Sequence, residues 1–174
     1  ERIGAMVLTS CDAFEHFPPP IIKPLIVASQ SKALFRAGAQ VFRIPLVRKR
    51  AYAGLAYSDL DALTREWVHN TQSDPAVAED LRVFTSSLKT EVTTEVARRL
   101  PEFDKPTLIA WSADDVFFEQ EDGRRLARVL PDARLEVIAN ARTFSMLDQP
   151  DVLGALIVDF VTARATATGA PGRR

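Results

Sequence analysis

Few side chains in this sequence carry reactive chemistry, and most of them sit at the ends of apolar runs. Ser112-Ala113-Asp114-Asp115 follows the run Pro106–Trp111, and Ser10-Cys11-Asp12 follows Ile3–Thr9. A carboxylate placed just after a strand can fix the tautomer of a proton-carrying histidine and stabilise its charged form. The same aspartate can equally cap a helix or close a loop without any chemistry. His16 and His69 are the two histidines, and imidazole exchanges protons near neutral pH. A lone histidine is more often an ordinary polar residue. The single thiol, Cys11, ends an apolar run, where a cysteine usually packs as a small hydrophobe.

Other chemistries are excluded by what the chain lacks. No Gly-x-Ser-x-Gly or Gly-x-Asp-x-Gly occurs, so no nucleophile is presented on a strand-to-helix elbow. No glycine-rich phosphate loop is present. The Cys, His and acidic residues show no paired metal-ligand spacing, so neither a metal nor another cofactor is expected. The triplet Arg48-Lys49-Arg50 reads as a solvated helix end. With 22 basic and 23 acidic residues among 174, the formal net charge is −1. Nucleic acid is therefore not an expected partner, because binding phosphates needs a basic excess. No apolar run approaches the roughly 20 residues needed to span a bilayer, and no signal-peptide core is visible. The expected setting is cytoplasmic, with no membrane partner.

The elements that must position these residues follow from hydrophobic periodicity. Residues 3–9 are nearly all apolar, which suits a strand buried on both faces of a parallel sheet. Such a strand wants neighbours on each side, and nothing precedes it. Pro18-Pro19-Pro20 and Pro24 then break the pattern. From about 21 to 100 the chain reads as helices. One begins near Ser58 or Asp59 and carries Leu60, Leu63, Trp67 and Val68. Another starts at Asp74-Pro75, with Val77, Leu81 and Phe84 on its apolar face. Residues 106–111 predict a second buried strand and 124–130 a helix. Residues 134–138 predict a third strand, with Leu135 and Val137 facing one way. Strand, helix and strand at this spacing form a parallel βαβ unit. A last helix is expected to be capped by Asp148 and to start near Pro150. Its stripe is Leu153, Leu156, Ile157, Phe160 and Val161.

Taken in order, these elements resemble the C-terminal half of an α/β-hydrolase with a helical cap, nearest to the haloalkane dehalogenase and epoxide hydrolase branch. Arg2–Glu15 carries the resemblance before the cap, and Leu100–Phe160 carries it after. It implies an α/β fold: parallel strands six to eight of the hydrolase sheet, flanking helices and an inserted cap. On this division, residues 1–17 are the first core strand and exit loop, and 18–100 the cap. Residues 101–164 complete the core, and 165–174 form a disordered tail. The chain starts at Glu1 rather than Met, and the nucleophile and oxyanion hole would belong to a missing N-terminal half.

The resemblance implies hydrolysis of a small, mostly apolar ester, haloalkane or epoxide through a covalent intermediate. It puts Asp115 at the family's acid position. Some members take the acid from the end of the sixth strand, so Asp12 is the alternative. Arg142-Thr143 stands where the family has Gly-His, and threonine has far too high a pKa to exchange protons near pH 7. Trp111, Phe117 and Phe118 flank Asp115 and would line the substrate pocket, or else pack as plain core. The chain alone is expected to be inactive. The competing expectation is a non-catalytic relative that binds a small ligand under its cap.

Overall fold

The computed structural model of the chain describes residues 3–168. In chain order it begins with β1 (Met6–Thr9), α1 (Lys23–Ser29), α2 (Lys32–Val41) and α3 (Pro45–Tyr52). Next come α4 (Asp61–Ser73), α5 (Pro75–Ser86) and α6 (Thr90–Arg99). The chain continues with β2 (Thr107–Ser112), α7 (Gln120–Val129), β3 (Ala133–Ile138), α8 (Ser145–Asp148) and α9 (Pro150–Thr168). Two compact units result. The residues up to Cys11 join those from Leu100 onward in a sheet unit, and Asp12–Arg99 form a helical unit. Residues 12–17, expected as an exit loop of the core, thus fall in the helical unit.

The sheet unit holds three parallel strands in the order β1-β2-β3. Val7 pairs with Leu108, and Leu108 with Arg134. β2 is central and every one of its residues is buried, which accounts for its unbroken apolar run. β1 is only half-buried along its length, not buried on both faces. Among the described residues it has a partner strand on one side alone. β3 also departs from the expected pattern. Ile138 is buried, whereas Val137 is 52% exposed. Ala110, Ile138, Ala141 and Leu153 form the core, with Leu156 and Ile157 packed against it. On α7, Leu126 is buried and Gly123 meets the indole of Trp111.

The end of the sheet unit corrects two further expectations. Asp148, expected as the cap of the last helix, has a role in the loop before it. It lies in α8, and its Oδ2 accepts the Arg142 N–H at 2.9 Å. Pro150 does open α9, where its missing N–H costs nothing. That helix continues to Thr168, so residues 165–168 are helical rather than irregular. The rest of the expected tail lies outside the described residues.

In the helical unit, proline and acidic caps set the helix starts. Pro45 and Pro75 occupy first positions, and Asp74 Oδ1 accepts the Ala76 N–H at 2.8 Å. Asp59 Oδ1 likewise receives the Asp61 N–H at 2.9 Å as α4 begins. The buried side of α5 is made by Ala78 and Thr85. Val77, Leu81 and Phe84, expected on that side, are exposed. Arg48 is not at a solvated helix end. It is buried, pairs with Asp61 Oδ1 at 2.6 Å and donates from Nη1 to the Phe42 carbonyl at 2.9 Å. α6 is tied to the start of the unit by two hydroxyls. Thr93 donates to the Phe14 carbonyl at 2.5 Å and Thr90 to that of Phe17 at 2.6 Å. Phe14 is buried with φ 52°, a backbone region that a bulky residue enters at a cost.

Candidate active site

In open parallel sheets, ligands approach the carboxyl ends of the strands. Two loops meet at that end of the sheet unit. The Ala113 N–H donates to the Ile138 carbonyl at 2.9 Å, and the Asp114 N–H to that of Ala141 at 3.0 Å. These bonds carry the β2–β3 pairing past the strand ends. The loop after β3 turns at Asn140, whose φ of 53° suits asparagine. Gln149 Nε2 donates to the Asn140 carbonyl at 3.2 Å, and Asp148 holds the Arg142 N–H. The loop after β2 is closed by Gln120 Nε2, which donates to the Ala113 carbonyl at 2.7 Å.

Between these loops Thr143 Oγ1 donates to Asp115 Oδ1 at 2.8 Å. The same oxygen accepts the N–H groups of Phe117 at 2.8 Å and Phe118 at 3.0 Å. Three donors therefore orient the Asp115 carboxylate. Its second oxygen, Oδ2, is buried and has no hydrogen-bond partner among the described residues. A buried acceptor left in this state costs on the order of 1–3 kcal/mol. Asp115 can therefore accept one further N–H or O–H, and it can stabilise a positive charge there. Thr143 is buried and occupies its own hydroxyl proton with Asp115.

The other sequence candidates lie elsewhere. Asp12 belongs to the helical unit and is exposed, and the partial desolvation it does experience raises its carboxyl pKa. Among the described residues no hydrogen bond orients it. His16 and His69 are exposed in the helical unit, and Cys11 is half-buried at the end of β1. Trp111 is fully buried, and a Cβ at Gly123 would lie 2.8 Å from its ring. The indole thus packs between β2 and α7 and leaves no exposed face for a substrate. Phe117 and Phe118 are half-buried beside Asp115.

Three serines at this end of the sheet were not singled out from sequence. Ser10 Oγ accepts the Ser112 N–H at 3.1 Å. Ser112 Oγ and Ser145 Oγ are buried without hydrogen-bond partners among the described residues. The available signal was that β1 and β2 both run into Ser-x-Asp, at Ser10-Cys11-Asp12 and Ser112-Ala113-Asp114. Among the described residues no group of three or more His, Cys, Asp or Glu side chains could hold a metal ion. None of the described helices is long and apolar enough to cross a membrane.

Known proteins give this geometry a context. No family model matches the chain. The 2-hydroxy-6-oxo-6-phenylhexa-2,4-dienoate hydrolase of Delftia acidovorans is 33% identical over 67 residues, covering 38% of this chain and 23% of that protein. An α/β-hydrolase fold protein from Burkholderia ambifaria superposes with TM-score 0.71 at 21% identity. It covers 90% of this chain and 56% of its own. The solved 2-hydroxy-6-oxo-6-phenylhexa-2,4-dienoate hydrolase of Rhodococcus sp. RHA1 superposes with TM-score 0.60 at 15% identity, over 88% of this chain and 53% of its own. The chain thus spans little more than half the length of the solved relatives. By its parallel sheet, its helical insertion between β1 and β2 and these superpositions, the chain has the fold of an α/β-hydrolase over that part of the molecule.

Proposed function

We propose that this chain is the acid-bearing, C-terminal part of an α/β-hydrolase, and that the whole protein hydrolyses a small, mostly apolar substrate through a covalent intermediate. One observation carries the reading. The residues at the family's acid and histidine places, Asp115 and Thr143, are direct hydrogen-bond partners at 2.8 Å. The names of the Delftia and Rhodococcus relatives support hydrolysis and favour an activated carbonyl, an ester or a hydroxy-oxo-dienoate, over a halide. In this reading a serine or aspartate outside the chain attacks the substrate carbon. The leaving group departs with a proton, and water then releases the second product. Asp115 Oδ2 accepts the N–H of the proton carrier, fixes its tautomer and stabilises its cation. Thr143 holds Oδ1 in place. The carrier is a residue other than Thr143, and the chain by itself is inactive.

Thr143 also favours a second reading, a non-catalytic relative that binds a small ligand. Turnover of a short-chain p-nitrophenyl ester and of a hydroxy-oxo-dienoate by the intact protein separates the two. If the enzyme reading holds, the wild type turns over and Asp115→Asn lowers kcat by about 10²-fold or more, with Asp12→Asn near wild type. Turnover unaffected by Asp115→Asn removes Asp115 from the machinery. An inert wild type that gains turnover in Thr143→His points to the binding reading.

A further inference from the structure

We propose that the helical unit carries a binding site of its own for a small, uncharged aromatic molecule. The site is a cavity of about 150 Å³ among α1 to α5, and every residue lining it belongs to the helical unit. Phe35 forms a buried floor, while Leu25, Trp67 and Leu81 are partly exposed, so the cavity has a mouth. Three rings build one wall. Phe42 and Tyr52 meet edge to face with centroids 6.2 Å apart, and so do Tyr52 and Trp67 at 6.2 Å.

Size and lining define the ligand. A volume of about 150 Å³ is enough for a benzene-sized ring. A ring seated on the floor at Phe35 and against the three-ring wall gains dispersion contacts and buries its own apolar surface. No charged side chain lines it, so an ionised ligand would be desolvated without compensation. Polar groups on the wall come from Tyr52, Trp67 and Thr71, which suits a ring bearing no more than a hydroxyl or carbonyl. Burial raises the Tyr52 pKa, so its phenol stays a neutral hydroxyl.

The cavity is also held open. Gln40 Nε2 donates to the Gln72 carbonyl at 3.3 Å, and Gln72 Nε2 donates back to the Ala39 carbonyl at 3.2 Å. This reciprocal pair fixes the spacing of α2 and α4 beside two wall residues, Ala39 and Thr71. A preformed site loses less on binding than one that must be ordered. Nothing in this inference depends on the activity proposed above.

Toluene is the probe and the intact protein the sample. A saturable change in tryptophan fluorescence is expected, with a dissociation constant on the order of 1 mM or below. Toluene should also raise Tm, and this rise should persist in Trp67→Phe while the fluorescence change disappears. Ala39→Leu and Thr71→Leu narrow the cavity from separate helices and should each weaken binding at least about tenfold. Absence of saturation in the wild type overturns the proposal, as does equal binding by both narrowed variants. Should neither variant fold, benzoate against the wild type decides. Benzoate binding as tight as that of toluene overturns the site, and a clear preference for toluene supports it.

Discussion

At Asp115 one oxygen has three donors and the other has none among the described residues, and the two sides have separable consequences. Thr143→Val keeps the shape but removes one donor to Oδ1. It should lower stability by about 0.5–1.5 kcal/mol, read from urea unfolding. A Thr143→Val protein as stable as wild type would mean that the contact contributes nothing in solution. Gly123 is the second sensitive position. A methyl there would lie 2.8 Å from Cδ2 of the fully buried Trp111, closer than real Cβ contacts come, so the ring or the helix must shift. Gly123→Ala should cost about 1–3 kcal/mol by overpacking, seen as a lower urea midpoint. The carboxylate after β2 was legible in sequence because chain order alone places it there. The sequence register pointed to Asp115 rather than its neighbour Asp114, and the turn gives the two different surroundings. Asp114 is exposed and uses its N–H on Ala141, whereas Asp115 turns its side chain toward Thr143. Trp111 was ambiguous because an aromatic at a strand end can face either a pocket or a covering helix, and α7 settles it.

Among the elements, α5 and the α3–α4 pair hold charges that set the behaviour of the helical unit. Arg82 donates to Glu79 from Nη2 at 2.7 Å and reaches the Ser29 carbonyl from Nη1 at 2.7 Å. The Arg82 guanidinium, with some help from Lys32, pulls the Glu79 carboxyl down from 4.5 to about 2. A lowered folded pKa stabilises the fold above the unfolded value, and that contribution is lost as pH falls through the folded one. Glu79→Gln should therefore flatten the acid dependence of helix content between pH 4.5 and about 2, followed by circular dichroism. An unchanged profile would show that the pair is screened out. Arg48 joins α3 to α4 through Asp61, which also holds Arg65 at 2.9 Å, so it is loss of Asp61 that would leave the buried Arg48 charge without its carboxylate. Arg48→Ala should lower Tm several-fold more than Lys49→Ala, whose exposed pair with Asp59 contributes little. Cap chemistry made the start of α5 readable in advance. The buried face of α5 was not readable, because its fully buried positions are the small residues Ala78 and Thr85 while Val77 and Phe84 are exposed.

Across the molecule, both units leave apolar surface uncovered. β1 has a partner on one side among the described residues, and Val77, Val83 and Phe84 of α5 are exposed. An unpaired strand edge and contiguous apolar faces are templates for association. The 174-residue chain on its own should therefore self-associate, giving a mass in light scattering that rises with concentration and a broad thermal transition. A sharply melting monomer would contradict this. The same uncovered strand fits a chain that spans little more than half of its solved relatives.

The order of elements, the parallel βαβ pairing, the helical insertion and the presence of a carboxylate after β2 were all determined by sequence alone. They depend on local periodicity, on proline and caps, and on chain order. Only the tertiary structure decided which oxygen of Asp115 is taken and which is free, that Arg48 is buried, and that Trp111 is core. It also decided that five helices leave a cavity among their rings. Each of these depends on which residues distant in sequence converge, and a one-dimensional pattern does not carry that information.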